Sequence, residues 1–246
     1  MSKPLMSLFA TAYRTQYWMN LYDSVSDSSI PFEIVFTGPN EPDFTLPDNF
    51  KYIKTADIKP SQCVEIATRY SVGEIIMQIA DDLEFVTSDS LGILYSEYKG
   101  YNNEKLMLSP RYLKDGVDLS VVSLRFFDGD LTSPTLAVGM ILSNKLYRTL
   151  GGIDKNFLAI HGESDVAMRL QSIGGKVLVS SIAINEFKER NEGSSMCDDA
   201  WTVDRPFLEK LWVVKHKAQF KRAQPFEPFS NYKILEESQG VKGKWL

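Results

Sequence analysis

Residues 74–80, Glu-Ile-Ile-Met-Gln-Ile-Ala, constrain the fold more than any other stretch of this chain. A run this close to continuously apolar is not the alternating pattern of a half-exposed strand. It is the pattern of a parallel strand with both faces covered, the central strand of an α/β sheet. The run passes with no spacer into Asp81-Asp82-Leu83-Glu84, three acids within four residues.

The preceding residues supply the rest of such a sheet. Residues 5–10 read as a short apolar strand and 13–26 as an amphipathic helix, with Trp18, Leu21, Tyr22 and Val25 on one face. Residues 32–37 (FEIVFT) form a β-rich run stopped by Gly38-Pro39, and 50–54 a further short strand. Ser61 is placed to cap a helix carrying Cys63, Ile66, Ala67 and Tyr70, ended by Gly73. The order β-α-β-β-α-β implies parallel strands joined by right-handed crossovers. Ligands of open α/β sheets bind beyond the carboxyl ends of the strands. That singles out residues 11–14, 37–41 and 81–84.

The second half is less regular. Residues 88–98 read as a helix, 120–127 and 135–142 as strands, and Ser143 as the cap of a helix stopped at Gly151-Gly152. Residues 164–173 read as a helix ended by Gly174-Gly175, and 176–180 as a strand. Asp204-Arg205-Pro206 reads as a helix opening, and the chain after Gln224 as an extended tail. The simplest organisation is one α/β domain over residues 1–200, with a nucleotide half at about 1–100 and a second half at about 101–200. A helix and tail at 201–246 would pack on it.

With 246 residues, the chain is long enough to bury a core without covalent staples. Cys63 and Cys197 have no metal-ligand spacing and no disulfide framework, so two reduced thiols are expected. The N-terminus lacks a signal-peptide pattern, and no stretch has the length and apolarity of a membrane span. A cytoplasmic protein is the expectation. A net charge of −5 argues against a protein whose main task is gripping a nucleic-acid backbone. Residues 210–222 run the other way, with five Lys or Arg and no acid. Two readings stand there. One is an amphipathic helix with a solvated basic face; the other is a peripheral contact for an anionic surface or a phosphorylated acceptor.

Carboxylates at the end of a buried strand suit a hard divalent cation that keeps few protein ligands and lets substrate phosphates complete its shell. An acidic turn opening a helix is the plainer alternative. Position adds weight to the first. The chain resembles a GT-A glycosyltransferase, with family 2 the nearest group. The resemblance rests on Thr11-Ala12-Tyr13-Arg14 after the first strand, FEIVFT, Lys59-Pro60-Ser61-Gln62 opening a helix, Asp81-Asp82-Leu83-Glu84, and the stretch 143–179 with its Leu-Gly-Gly-Ile-Asp turn. It implies a mixed, mostly parallel Rossmann-like sheet flanked by helices.

The resemblance also implies residue roles. Asp82 and Glu84 take the Asp-x-Asp spacing that holds Mn²⁺ or Mg²⁺ with the donor diphosphate, and Asp81 lies beside them. Counting back from Ala167-Met168-Arg169-Leu170, Glu163 falls at the general-base position of inverting members and Asp165 at the last acid of the same motif. Thr11, Ala12, Tyr13 and Arg14 fall against the nucleotide, with Arg14 toward a phosphate, and Lys59 is assigned to the donor side. The sequence departs from the family twice. Asn40 or Glu41 stands where an acid reads the base. Asn185, Glu186, Glu189 and Asn191 precede Gly193-Ser194-Ser195 where a metal-binding His is usual, and Glu186 is the substitute candidate. The implied activity is metal-dependent, inverting sugar transfer from a nucleotide-diphosphate sugar, most simply a UDP-sugar. The acceptor would be a glycan, a lipid-linked glycan or a modified nucleic-acid base. The competing readings are a nucleotidyltransferase, disfavoured by the absence of glycine in residues 10–14, and an inactive nucleotide-sugar-binding module.

Overall fold

The computed structural model describes residues 3–114, 117–118, 139–186, 195–215 and 219–229. Its elements run β1 (Met6–Thr11), α1 (Trp18–Asp23), β2 (Phe32–Gly38), β3 (Phe50–Lys54), α2 (Pro60–Tyr70), β4 (Ile75–Gln78), β5 (Leu83–Phe85) and α3 (Ser90–Gly100). They continue with β6 (Leu106–Lys114), β7 (Val117–Asp118), β8 (Ile141–Ser143), α4 (Asn144–Leu150), α5 (Gly162–Ser172), β9 (Lys176–Glu186), α6 (Ser195–Leu211), β10 (Trp212–Lys215) and β11 (Gln219–Arg222).

The main sheet has the order β3-β2-β1-β4-β8-β6-β9-β5, with β7 against β6. Pairings β1–β2, β2–β3, β1–β4 and β6–β9 are parallel, while β8 and β5 run antiparallel to their neighbours. This is the expected mixed, mostly parallel sheet. Both faces are covered, which explains the unbroken apolar runs. Along β1, β2 and β4, Leu8, Ala10, Ile34, Phe36, Ile75 and Met77 enter one core with Trp18, Leu91 and Leu94 from α1 and α3. Their alternates Phe9, Val35 and Ile76 enter the other, with residues of α2, α4, α5 and α6.

Several boundaries differ from the sequence reading, each for a local reason. The first helix begins only at Trp18, after a short 3-10 turn at Thr15–Tyr17, and the backbone N–H groups of Tyr13 and Arg14 before it are given to the Asp81 carboxylate. Lys59, not Ser61, is the N-cap of α2, with Pro60 in its first turn, and the Ser61 hydroxyl donates to the Phe157 carbonyl across the domain. β6 was not foreseen; Pro110 within it sits at a register shift between Ser109 and Arg111, the irregularity where a sheet tolerates proline. β9 runs on past Ser180 to Glu186. α6 spans Ser195–Leu211 with Pro206 inside it, rather than opening at Asp204. The strand expected at 120–127 lies outside the described residues, as does the first half of that expected at 135–142, whose end falls in β8.

The basic segment is also corrected. Directly after Leu211 the described chain is strand, not helix: Trp212–Lys215 and Gln219–Arg222 pair as an antiparallel ribbon. Trp212 is buried and donates its indole N–H to Asp165 at 2.9 Å. Arg222 is spent inside the protein, on Asp154 at 2.6 Å and on Asp165 at 3.2 Å. Neither is available to a surface partner. Lys210 and Lys221 carry exposed charge; His216 and Lys217 lie outside the described residues. After the ribbon the chain crosses the loop between α4 and α5: Lys155 N–H donates to the Glu227 carbonyl at 2.8 Å, and Glu227 N–H to Asp154 at 3.1 Å. The Phe226 ring stacks on the guanidinium of Arg169. Among the described residues no helix is long and apolar enough to cross a membrane.

Two substitutions test this framework. A Cβ on Gly38 would sit 1.9 Å from the Ala12 carbonyl oxygen, backbone that cannot step aside. Gly38→Ala should therefore lose at least ~1–3 kcal/mol of stability, read from the urea midpoint. Asp165→Ala would strand two buried guanidinium groups and an indole N–H. A loss of about 3–5 kcal/mol is expected, together with faster proteolysis of the C-terminal ribbon.

Candidate functional site

The parallel strands β1, β2 and β4 end together, and the donor-side residues gather at that edge. Asp81 and Asp82 follow β4 and are both buried. Asp81 Oδ2 accepts from the backbone N–H of Tyr13 at 2.5 Å and of Arg14 at 2.6 Å. Its Oδ1 accepts from Arg14 Nε at 2.9 Å and also from Arg14 Nη2. Asp82 Oδ2 accepts from Arg14 Nη1 at 2.6 Å. The guanidinium expected to meet a phosphate thus lies in this structure on the two carboxylates, with its side chain 31% exposed.

Around this pair the other donor-side candidates take their places. Thr11 ends β1 opposite Thr37 of β2, and Ala12 N–H donates to the Thr37 carbonyl at 2.9 Å. Asn40 is exposed and donates its side-chain amide to the Tyr13 carbonyl at 2.8 Å. The Tyr13 hydroxyl donates to Asp57 at 3.1 Å and to the Ile58 carbonyl at 3.2 Å. Burial first, then nearby anionic groups, push that phenol far above its ordinary pKa, so it stays a neutral donor. Asp57 was not singled out from sequence, having neither motif nor spacing to mark it. Glu41 pairs with Lys54 on the surface at 3.0 Å.

The expected metal residues are only partly brought together. Glu84 lies on β5, opposite Asn185 of β9, whose amide donates to it at 2.9 Å. Glu186 is buried and accepts from the Tyr112 hydroxyl at 2.5 Å. Among the described residues no group of three or more His, Cys, Asp or Glu is arranged to hold a metal ion. Asp81 and Asp82 do converge on a single cation, the Arg14 guanidinium. A divalent ion that relies on one or two carboxylates and on substrate phosphates fits such a pair. Glu189, Asn191 and the Gly193–Ser195 turn fall outside the residues whose side chains are described.

The second cluster stands at the same edge. The last residues of α5 lead into Lys176, which pairs with Leu106 at the start of β6, so the helix runs back along the sheet. Its eleven residues, ~16 Å long, put the first turn toward the strands' carboxyl ends. Glu163 lies in that turn. Burial, with a smaller push from the Asp204 carboxylate, raises its pKa to about 7, against backbone hydrogen bonds that lower it. Asp165, two residues on, is wholly buried and engaged by Arg169 at 2.8 Å as well as by Trp212 and Arg222. It is an anchor for the C-terminal ribbon, so the expectation that it shares the base role loses its footing.

His161 caps α5 in the left-handed region at φ 63°, its ring edge-on to Trp201 with centroids 5.0 Å apart. Burial, then the Arg205 charge, lowers its pKa to about 4, so it is neutral at pH 7. Asp204, read from sequence only as a helix opener, accepts from the backbone N–H groups of Leu158, Ala159 and Ile160 at 2.8, 2.8 and 2.9 Å. It fixes the loop that delivers His161 and Glu163. That loop is tied to the donor side as well, since Ser61 N–H donates to the Leu158 carbonyl at 2.9 Å. Lys59 donates to the Lys155 carbonyl and lies 5.2 Å from the Phe229 ring.

No protein-family model matches the sequence, and no curated protein matches it. Solved structures do. TarS residues 1–349 from S. aureus in complex with UDP-GlcNAc superposes with a TM-score of 0.61 at 16% identity, over 87% of this chain and 68% of that one. TarS 1–349 without a named ligand gives 0.56 at 15% identity, and there this chain spans 59% of the other's length. A mannosyltransferase, PcManGT from Pyrobaculum calidifontis, in complex with GDP-Man and Mn²⁺, gives 0.59 at 13% identity over 82% of this chain and 63% of that one. At these identities the likeness is one of architecture: the chain has the GT-A fold.

Proposed function

We propose that the chain is an inverting glycosyltransferase that moves a sugar from a nucleotide-diphosphate sugar to an acceptor hydroxyl, with Glu163 as general base. One observation supports this reading: a carboxyl group whose pKa is raised to about 7 lies in the first turn of α5, a helix whose direction turns that end toward the carboxyl ends of the strands, after which Asp81 and Asp82 follow. A general base works best when its pKa lies near the working pH. The neighbours with UDP-GlcNAc and with GDP-Man support a nucleotide-sugar donor.

In the proposed reaction the acceptor oxygen attacks the anomeric carbon as its proton passes to Glu163. The bond from that carbon to the diphosphate oxygen breaks on the opposite side, and the nucleoside diphosphate leaves. Thr11, Ala12, Tyr13, Asn40 and Lys59 line the donor side. Asp82 and Glu84 would hold a divalent ion, Mn²⁺ or Mg²⁺, and the ion would supply positive charge for the leaving diphosphate. Asp81 fixes the turn at residues 13–14. A UDP-sugar is the donor to test first, and the cytoplasm is the proposed setting.

The test is a panel of nucleotide-sugars with Mn²⁺, scored by release of the nucleoside diphosphate. Glu163→Gln should lower the transfer rate about 10²–10⁴-fold while leaving the UDP-induced rise in melting temperature intact. An inactive binding module would show no release and no response to this substitution. The wild-type rate should climb with pH through about 7, as Glu163 loses its proton. Stability moves oppositely. Between the ordinary Glu value of 4.5 and about 7 the folded state holds a proton that the unfolded state has released, so wild-type stability falls as pH rises. Glu163→Gln should flatten that decline, measured by urea unfolding at several pH values.

A further inference from the structure

We infer that Arg14 is the resident counter-cation of the acidic pair: a divalent ion must displace it from Asp82, and Arg14 then serves the donor diphosphate. The inference rests on the glycosyltransferase reading for its second half only. Its first half stands on the contacts at the strand edge.

The two carboxylates adjoin in sequence and are 2% and 3% exposed, so leaving both charged without a nearby cation would be costly. Arg14 supplies that cation through a fork: Nε and Nη2 on Asp81, Nη1 on Asp82 at 2.6 Å. The two ends of the fork differ. Asp81 accepts four hydrogen bonds, two from backbone and two from the guanidinium. Four is about the capacity of a carboxylate, so a metal could bind Asp81 only by breaking bonds that shape the turn. Arg14 reaches Asp82 through Nη1.

Asp82 is therefore where a metal and Arg14 compete. A doubly charged ion placed there repels the guanidinium at close range. Asp81 and the backbone of the turn keep the Arg14 side chain tethered at the sheet edge, where the incoming anion is the diphosphate. A planar guanidinium suits phosphate oxygens. The arrangement makes metal loading and donor loading mutually supporting, since the diphosphate receives the cation that the metal displaces.

The experiment uses the whole chain and two probes. Calorimetry with Mn²⁺ alone, on EDTA-stripped protein, should show Arg14→Ala binding the ion about tenfold or more tightly than wild type, with Arg14→Lys between them. UDP titrated in saturating Mn²⁺ should bind Arg14→Ala more weakly than wild type. The melting temperature gives a readout free of activity. In EDTA, Arg14→Ala should melt below wild type, and Mn²⁺ should raise its melting temperature by more than it raises the wild type's. Equal or weaker Mn²⁺ binding by Arg14→Ala would overturn the competition, and unchanged UDP affinity would overturn the hand-over. Failure of wild-type protein to bind any nucleotide would sink the glycosyltransferase reading instead, leaving the Mn²⁺ comparison to judge the rest.

Discussion

The Asp81 carboxylate is the contact on which the donor side depends. It closes the end of β4 against the end of β1 by accepting the N–H groups of Tyr13 and Arg14. By accepting them, one buried charge holds the turn at residues 13–14 at the sheet edge, ahead of the 3-10 turn and α1. Gly38 makes the same turn possible from the other side, because the Ala12 carbonyl occupies the space a side chain would need. Under the proposed function, backbone and carboxylate together pre-form the turn that meets the nucleotide, with little reordering.

A second set of buried acids organises the opposite wall. Asp204 gathers three successive N–H groups of the loop at 158–160, and Asp154 and Asp165 share Arg222. Each has a partner that makes its burial tolerable. These acids set the loop, the helix start and the C-terminal ribbon relative to one another. The ribbon's basic character is thereby turned inward at Arg222, which is why a segment that reads as a surface patch serves as a strap. The hydrogen bonds from α2's first turn to Leu158 and Phe157 join this wall to the donor side.

The parallel core was legible in sequence because a strand covered on both faces leaves a run of apolar residues, and β1, β2 and β4 are such runs. The acids at 81–84 stood out because they follow an apolar run with no spacer, whereas Glu163 and Asp165 were reached only through the resemblance to a known family. β6 was not, since Pro110 breaks its pattern at a bulge that only the sheet's register explains. Nor was the ribbon after Leu211, where the basic residues suggested a helix face although Val213, Val214 and Phe220 favour strand. The roles of Asp57 and Asp204 depend on groups more than 40 residues away, and no local spacing announces such a contact.

Glu163 and Asp165 show how one helical turn gives two acids different work. Both sit in the first turn of α5, where the N-terminal end of the helix favours negative charge. Asp165 points into a pocket furnished with two guanidinium groups and an indole N–H, so its charge is compensated and its position fixed. Glu163 has the burial with Asp204 for company, and its affinity for a proton rises to match neutral pH. The sequence Glu-Ser-Asp alone assigns neither role. What separates them is a two-residue step on the helix, about 200°, which turns the Asp165 side chain to the strap and that of Glu163 to another face. A proton acceptor must be uncomfortable when charged, and burial gives Glu163 that property.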